Sequence, residues 1–387
     1  MGGKALIYLD HAATSFPKPR EVLSEVTRCM RFYGGNPGRG AHALSLAAAE
    51  KVYACRKAAA ELVGSPHPER LVFTLNATAA INTVIKGILR TGDHVLLSDM
   101  EHNAVYRPIA KLAREGRITY TVFPTMLLEE GRSPARITAR LARLVRPNTR
   151  MLICAHASNI CSASLPLEAL GEFCRKRGIL FVVDAAQSLG HLPVDLEGMK
   201  IDALCAPGHK GLLGPQGSGF LVLGEGIEAD TLTEGGSGYH SLESEMPEEM
   251  PERFEAGTLP TPAIAGLLAG IGEVKRMGIA AIHAHECRLI AHLAERLSYL
   301  PQVTLYARQY EGSVLSFGIE GRSAEEVGLA LNRMGFCVRA GFHCSALGHR
   351  TLGTDAQGTV RASVGYCTTE SQIDSFADAV ERLCRHE

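Results

Sequence analysis

The chain has 387 residues, of which 46% are hydrophobic and 21% are charged, a composition typical of a globular protein rather than a disordered one. This length favours two domains over a single core. Forty Lys and Arg against 41 Asp and Glu leave a formal net charge of -1, so the overall charge provides no attraction to nucleic acid or to an anionic membrane. No apolar run reaches the roughly 20 residues that a membrane helix needs, and no charged-then-apolar leader begins the sequence.

Eleven cysteines are scattered along the chain without a CxxC pair or a Cys/His cluster at zinc spacing. Several lie inside apolar runs such as MLICA and DALCA, which is typical of reduced thiols in a reducing compartment. His285, Glu286 and His292 share a predicted helix but lack the HExxH spacing of a zinc site. We therefore expect a cytoplasmic protein with neither a metal site nor an iron–sulfur cluster.

Short apolar, β-branched runs alternate with longer amphipathic segments between about residues 70 and 225. The runs are mostly continuous rather than alternating, as expected when both faces of a sheet are covered. The pattern predicts an α/β domain with a mostly parallel seven-stranded sheet. The predicted strands are 71–73, 94–98, 118–123, 151–156, 179–184, 202–206 and 219–223.

The stretch from about 225 to 260 is rich in Gly, Pro and Glu and shows little periodicity. An irregular stretch this long usually serves a site or an interface. Two helical patterns, 263–278 and 285–300, then precede short strands and another helix, which predicts a smaller α+β domain. The predicted boundaries are 17–260 for the large domain and 261–387 for the small one, joined by the N-terminal segment 1–16.

Two charged residues interrupt the apolar pattern where strands end. Asp184 closes the run ILFVVD, and Lys210 lies in the turn GHKGLLGPQG between two predicted strands. Asp184 as a helix cap and Lys210 as a surface turn residue are the ordinary alternatives. Ligands of open α/β sheets, however, gather at the carboxyl ends of the strands, and a carboxylate after an apolar run needs a partner.

Together the two charges fit a pyridoxal phosphate enzyme. Such an enzyme needs a lysine amine for a Schiff base and an acid that faces the pyridinium nitrogen. It also needs a phosphate cradle, which the free N–H groups at the start of a helix can supply. The string LVFTLNATAAIN reads as a strand, a turn and a helix start, with Ala77 and Thr78 at the cradle.

Ten motifs then occur in one order from YLDHAATSFPKP to VRASVGYCTT, among them SDMEHNAV, VVDAAQSLGH, APGHKGLLGPQGSG, RFEAGTLPTP and RAGFHCSA. Through them the chain resembles, nearly end to end, the class V, fold-type I pyridoxal phosphate enzymes, specifically the cysteine desulfurase and selenocysteine lyase group. The short separation of Cys344 from Arg361 resembles the SUF-type branch. The resemblance implies a fold-type I architecture, pyridoxal 5'-phosphate as cofactor, and a homodimer whose sites lie at the interface.

The resemblance also implies a role for each matched residue. Lys210 corresponds to the Schiff-base lysine, Asp184 to the partner of the pyridine nitrogen, and His102 to the imidazole that stacks on the ring. Arg361 corresponds to the arginine that clamps the substrate carboxylate, a task that suits a planar guanidinium. The remaining cofactor contacts would be Ala77, Thr78, Asn159, Gln187, His209 and, from the other subunit, Thr258; the remaining substrate contacts would be Asn36, His42, Arg339 and His343.

Cys344 corresponds to the cysteine that accepts sulfur. A packing role is the ordinary one for a cysteine, but Cys344 lies in a glycine-flanked polar loop beside His343 and near Arg339, where positive neighbours favour the thiolate. The implied reaction converts L-cysteine to L-alanine and leaves the sulfur on Cys344 as a persulfide, with a sulfur-acceptor protein as a further partner. L-selenocysteine is the alternative substrate.

The chain departs from the family pattern at several positions. Pro207 replaces a serine that touches the cofactor phosphate, Ala77 and Ala79 replace polar cradle residues, and Ser162 replaces a glycine. Phe342 and Ser345 flank the HC pair where SUF-type relatives carry histidine and alanine. Alternatives therefore remain open: a selenocysteine lyase, an aminotransferase, an epimerase, a kynureninase-like hydrolase, or a scaffold that keeps the fold without the chemistry.

Overall fold

The computed structural model describes residues 6–38, 40–126, 133–306 and 310–385, so Arg39 of the NPGRG motif lies outside the described residues. The strands are β1 (Ile7–Tyr8), β2 (Leu71–Thr74), β3 (His94–Ser98), β4 (Thr119–Phe123), β5 (Thr149–Ala155), β6 (Leu180–Asp184), β7 (Ala203–Pro207), β8 (Gly219–Leu223), β9 (Val303–Leu305), β10 (Val314–Ile319), β11 (Phe336–Cys337), β12 (Arg339–Gly341) and β13 (Thr359–Ser363). The α-helices are α1 (Arg20–Arg28), α2 (Ala43–Leu62), α3 (Ala77–Ile88), α4 (Asn103–Arg114), α5 (Pro134–Ala142), α6 (Leu167–Arg175), α7 (Thr261–Met277), α8 (Ile279–Ser298), α9 (Ala324–Arg333), α10 (Ala346–Leu352) and α11 (Glu370–Arg385).

The largest sheet has seven strands in the order β2-β8-β7-β6-β5-β3-β4. Every neighbouring pair is parallel except the two pairs made by β8, which runs against β2 and β7. The seven predicted strands are confirmed to within two residues at each end, and the predicted α/β fold class is confirmed with them. The continuous apolar runs predicted these strands correctly because a sheet covered on both faces needs apolar residues at every position.

Helices cover both faces of this sheet. On one face α3 and α4 bury side chains such as Ile81, Val105 and Ile109. On the other face α2, α5, α6 and α7 contribute residues that include Ile137 and Phe173. Among the described helices, none has the length and the apolar composition that crossing a bilayer requires.

A second, antiparallel sheet has the order β12-β13-β10-β9, and α8, α9 and α11 pack against it around residues such as Phe317 and Phe376. The N-terminal strand β1 pairs in parallel with β11 and so attaches the start of the chain to this C-terminal part. The division at 260/261 stays a prediction. Helix α7, which that division assigns to the small domain, buries Ile264, Leu267 and Ile271 in the core of the large sheet.

The stretch from 224 to 260 contains neither a helix nor a strand, as its composition predicted. A buried ion pair holds its C-terminal part against the large sheet. Arg56 Nη1 and Nη2 each donate to one carboxylate oxygen of Glu255 at 2.8 Å, and Phe73 N donates to Glu255 Oε1 at 2.7 Å. The two charged side chains are 6% and 7% exposed. Both charges are desolvated, so removing either partner would leave the other charge buried and unpaired and would lower the free energy of unfolding.

We predict that Glu255→Ala lowers the free energy of unfolding by about 3 kcal/mol, because it leaves the Arg56 charge buried and unpaired. Urea unfolding measures the change. Replacing both partners together, Arg56→Met with Glu255→Leu, should cost less than Glu255→Ala alone. Glu61→Ala, which removes an exposed ion pair with Lys275, serves as the control and should change stability little. A loss for Glu255→Ala no larger than that of the control would contradict the prediction.

Candidate active site

A cavity of about 260 Å³ opens at the carboxyl ends of β5, β6 and β7. This is the edge of a parallel sheet at which ligands are expected. Its wall is built by residues from five separate segments of the large part of the chain. It brings together eight residues singled out by the sequence: Ala77, Thr78, His102, Asn159, Asp184, Gln187, His209 and Lys210.

Lys210 and Asp184 are opposite charges that face this cavity. Burial lowers the pKa of the Lys210 amine to about 8, and the Asp184 carboxylate pulls it in the other direction. Burial raises the pKa of the Asp184 carboxyl, while the Ala186 N–H, 2.9 Å from Asp184 Oδ1, and the charge of Lys210 oppose that rise. No ion pair within 4.0 Å joins these two described residues, so the space between them is available to a ligand.

Two glycines allow the turn that carries Lys210 to approach the turn that follows Asp184. Gly190 has a φ of +92°, and a Cβ on it would lie 2.3 Å from the main-chain oxygen of Gly211. A Cβ on Gly211 would lie 2.4 Å from the main-chain oxygen of Leu189. The contact is backbone against backbone, so a side chain at either position would displace Lys210.

His102 is the N-cap of α4, and its Nδ1 accepts the Ala104 N–H at 3.0 Å. Burial, followed by the charge of Lys210, lowers the pKa of this imidazole to about 4. The ring is therefore neutral near pH 7. Because Nδ1 accepts, the proton of the neutral ring lies on Nε2.

The start of α3 supplies a cradle for an anionic group. Asn76 is the N-cap, and its Oδ1 accepts the Ala79 N–H at 2.9 Å, while Ala80 N donates to Asn76 O at 3.3 Å. The N–H groups of Ala77 and Thr78 are left for a ligand, and both residues line the cavity. Free N–H groups and the helix dipole together favour a phosphate at this position.

Arg361 lies on β13 and is 2% exposed. Its Nη1 donates to Asn159 O at 2.9 Å and its Nη2 donates to Asp10 Oδ1 at 2.8 Å, whereas Nε is buried without a partner in the described part of the chain. Arg339 lies directly opposite Arg361 in the antiparallel pair of β12 and β13. The positive charges of the two arginines both act on His102 and Lys210, where they help to lower the pKa.

Cys344 lies in an exposed turn between β12 and α10. His343 and Cys344 both have positive φ angles, +46° and +56°, which non-glycine residues seldom adopt. Two hydrogen bonds attach the main chain of this turn to the candidate site. Asn159 Nδ2 donates to His343 O at 2.7 Å, and Asn103 N donates to Cys344 O at 2.7 Å.

The His343 ring points into the protein rather than toward the cavity. Its Nε2 lies 2.9 Å from Thr359 Oγ1 and 3.1 Å from Thr359 O. Burial, followed by the charge of Arg361, lowers the pKa of His343 to about 3, so the ring is neutral. The His343 ring therefore anchors the turn of Cys344 to β13. Its contact with substrate stays a prediction.

Glu101 is a residue that the sequence reasoning missed, although it stands in the motif SDMEHNAV. Its side chain is fully buried, and Oε1 accepts hydrogen bonds from Ala155 N, at 2.9 Å, and from the Ser98 hydroxyl. Its main-chain oxygen accepts the Ser345 hydroxyl at 3.2 Å. Burial raises the pKa of Glu101 to about 8. Glu101 thus links β5, the turn before His102 and the turn of Cys344.

Seven predicted residues do not line this cavity: the four just described, Arg339, His343, Cys344 and Arg361, and three that lie elsewhere, Asn36, His42 and Thr258. Asn36 and Thr258 line a separate cavity of about 530 Å³ together with Arg56 and Glu255. His42 is the N-cap of α2, where its Nδ1 accepts the Ser45 N–H at 3.3 Å. Thr258 is therefore not a cofactor contact within its own chain. Its predicted contact would have to come from a second copy, as the family resemblance implied.

Four further residues named in the sequence analysis do not line the Lys210 cavity. Ser162 donates its hydroxyl to Val314 O, which ties its loop to β10. His285, Glu286 and His292 contact three different partners, namely Thr368 O, His191 and Asp374. Within the described ranges no group of three or more His, Cys, Asp or Glu side chains is arranged to hold a metal ion.

We predict that the Lys210 amine titrates near pH 8, against 10.5 for an ordinary lysine, because burial disfavours its charged form. Trace acetylation of the ligand-free protein across a pH series, quantified peptide by peptide by mass spectrometry, measures the midpoint. In Asp184→Asn the midpoint should move further down, because the attraction that favours the ammonium is lost. Asp230→Asn on the surface is the matched control. A midpoint near 10.5, or one that Asp184→Asn raises, would contradict this reading of the site.

Comparisons with known proteins identify the family of the chain. A family model described as Aminotransferase class-V matches residues 7–376. A probable cysteine desulfurase of Methanothermobacter thermautotrophicus is 32% identical over 386 residues, which cover 97% of this chain and 94% of the relative. A cysteine desulfurase of Pectobacterium atrosepticum is 31% identical and is covered to 95%, with 100% of this chain matched.

Solved structures give the same result. The apo structure of a cysteine desulfurase from Thermococcus onnurineus NA1 superposes with a TM-score of 0.89 at 29% identity, covering 99% of this chain and 95% of that one. The Escherichia coli cysteine desulfurase CsdA (S-sulfonic acid) superposes with a TM-score of 0.87 at 26% identity, covering 98% and 95%. The family resemblance drawn from the motifs is thereby confirmed, and the chain belongs to the class-V aminotransferase family.

Proposed function

We propose that the chain is a pyridoxal-phosphate-dependent cysteine desulfurase that converts L-cysteine to L-alanine and transfers the sulfur to Cys344. One observation carries the proposal: Lys210 and Asp184 line one cavity as opposite charges, and no ion pair within 4.0 Å joins these two described residues. Burial disfavours both charges, and a polar group placed between them would stabilise both. A pyridinium ring, with its nitrogen at the carboxylate and its aldehyde at the amine, has the required polarity. The names of the relatives supply the reaction class.

The residues around the cavity fit this cofactor. The carboxylate of Asp184 would keep the ring nitrogen protonated, and the imidazole of His102 would cover one face of the ring. The free N–H groups of Ala77 and Thr78 would hold the phosphate. Pro207 removes a hydroxyl donor from the expected cradle, so phosphate binding relies more strongly on these N–H groups and on His209. When bound, pyridoxal phosphate supplies an aldehyde for the amine and a ring that accepts electrons from the substrate carbon.

The protein's own groups then account for the remaining chemistry. With a pKa of about 8, Lys210 has an appreciable neutral fraction near pH 7, and a neutral amine can take a proton from the substrate Cα. Arg361 would hold the substrate carboxylate through the edge of its guanidinium that carries Nε. Cys344 loses its proton, and its sulfur attacks the substrate sulfur. An S–S bond forms while the Cβ–S bond breaks, and the two protons released by Cys344 and by the substrate Cα return to Cβ and Cα to give alanine.

The homodimer implied by the resemblance belongs to this proposal. Thr258 and Asn36 line a cavity apart from Lys210, so contacts of these residues with the cofactor or substrate require a second subunit. Large apolar side chains stay exposed nearby on α2, where Leu46 is 55% and Tyr53 is 61% exposed. Apolar exposure next to an incomplete site is what an interface of two copies would cover.

The first test of the proposal concerns the cofactor. Protein incubated with pyridoxal phosphate should turn yellow, and borohydride should then fix the cofactor mass on the peptide that contains Lys210. Lys210→Ala should lose both signals, because it removes the amine that reacts with the aldehyde. Lys275→Ala, a surface lysine paired with Glu61, should keep both. A wild-type protein that stays colourless and unlabelled would refute the proposal.

The second test concerns the thiol. Cys344→Ala should reduce alanine release from L-cysteine by about 100-fold or more, because the sulfur has lost its nucleophilic acceptor. Cys367→Ala, which removes the other exposed thiol, is the matched control and should retain activity. Alanine is measured with L-cysteine and L-selenocysteine in parallel. Wild-type turnover by Cys344→Ala with L-cysteine would contradict the role of the thiol, and turnover with L-selenocysteine alone would identify a selenocysteine lyase.

A further inference from the structure

The main-chain oxygen of His209, the residue before Lys210, is surrounded by donors from the N-terminal segment. Ser15 N and Ser15 Oγ each lie 3.1 Å from it, and Lys18 Nζ lies 2.8 Å from it. Thr14 Oγ1 lies 3.1 Å from the same oxygen and 3.0 Å from Nδ1 of the His209 ring. A carbonyl oxygen has two lone pairs. The N–H of Ser15 and the ammonium of Lys18 already occupy both, so the oxygen needs no hydrogen bond from Thr14.

With Lys18, the two lone pairs of His209 O are filled by nitrogen donors alone, whichever way the nearby hydroxyl groups point. An ammonium can only donate, and Lys18 Nζ donates to Ser15 Oγ at 2.7 Å and to His209 O. No carboxylate lies within 4.0 Å of Lys18 in the described part of the chain, so its charge acts on this carbonyl. The single hydroxyl hydrogen of Thr14 is then left for the imidazole.

We propose that Thr14 is a positioning residue that donates its hydroxyl hydrogen to His209 Nδ1 and thereby fixes the neutral ring with its proton on Nε2. His209 lines the Lys210 cavity, and Nε2 has no protein partner among the described residues. The cavity therefore receives an N–H donor rather than a lone pair. This donor faces the same cavity as the free N–H groups of Ala77 and Thr78, which favour an anionic group, and the identification of that group as the cofactor phosphate rests on the proposed function.

The charge state of the ring supports this assignment. Burial, followed by the charges of Lys210 and Lys18, lowers the pKa of His209 to about 4. Near pH 7 the ring is neutral and carries one proton, so only one nitrogen can donate. With the opposite tautomer, the lone pair of Nε2 would face the anion. The choice of tautomer thus decides between attraction and repulsion at this position.

The ligand-free, full-length protein with 15N-labelled histidine tests the tautomer directly by NMR, with His209→Gln assigning the signals. We expect Nε2 to be protonated and Nδ1 to be an acceptor in the wild type. Thr14→Val should shift both nitrogens toward an average of the two tautomers, and Thr14→Ser should restore the wild-type pattern. Thr27→Val, which removes a hydroxyl that bonds Leu23 O on an exposed helix, should leave both signals unchanged.

Binding of pyridoxal phosphate and of inorganic phosphate, each followed on the Nε2 signal, tests the consequence. Thr14→Val should weaken binding of both about tenfold, as expected for losing one hydrogen bond to a charged group, and Thr14→Ser should recover it. A wild-type ring protonated on Nδ1, or a Thr14→Val variant with unchanged tautomer and unchanged phosphate affinity, overturns the proposal. The tautomer is read without cofactor chemistry, so a failure of the proposed function would appear separately, as phosphate binding without attachment to Lys210.

Discussion

The whole site depends on holding two opposite charges in one buried cavity without letting them meet. Asp184 ends β6, whereas Lys210 follows β7 by three residues, so neighbouring parallel strands deliver both side chains to the same sheet edge. A direct ion pair would relieve the cost of burying both charges but would occupy the cavity. The pair stays open, and burial lowers the pKa of Lys210 to about 8 although the charge of Asp184 opposes that fall. The same desolvation that costs stability makes the amine reactive.

The residues that complete the site come from opposite ends of the chain. Asp10 follows β1, which pairs with β11, and it accepts a hydrogen bond from Arg361 on β13. Arg361 donates in turn to Asn159 O, and the Asn159 side chain donates to His343 O. One chain of hydrogen bonds thus joins the arginine proposed to bind substrate to the turn of Cys344. The position of the thiol and the position of the guanidinium cannot be set independently.

The sequence predicted what depends on local pattern. The seven strands followed from continuous apolar runs, and Asp184 and Lys210 stood out because each interrupts such a run with a charge. Contacts with main-chain oxygens carry no comparable signal, since any residue offers a carbonyl. The clamp of Ser15 and Lys18 on His209 O belongs to this class. Periodicity also could not reveal the separate cavity of Thr258, because that position depends on how an irregular stretch folds back over α2.

The turn of Cys344 shows a further limit of sequence pattern. Positive φ angles are normally signalled by glycine, yet here two adjacent non-glycine residues, His343 and Cys344, adopt them. Such a conformation persists only where the surroundings over-determine it. Here the two carbonyls accept hydrogen bonds from Asn159 and Asn103, and the His343 ring is fixed by Thr359. The residues that hold this conformation lie more than 15 positions away in the sequence, so a short sequence window around Cys344 cannot reveal them.

The residue beside Cys344 that departs from the family pattern affects which groups could supply a proton near the thiol. Phe342 stands where SUF-type relatives carry histidine, and its half-exposed ring packs edge-on against His349, with the ring centroids 5.5 Å apart. His349 in turn lies 5.5 Å from the buried ring of His343. Burial lowers the pKa of both histidines, so neither stores a proton near pH 7. Under the proposed function the proton that the product carbon receives would come from the cavity side, where Lys210 would carry a proton each time it had acted as a base. In that proposal one group, the Lys210 amine, both removes a proton from the substrate and returns one.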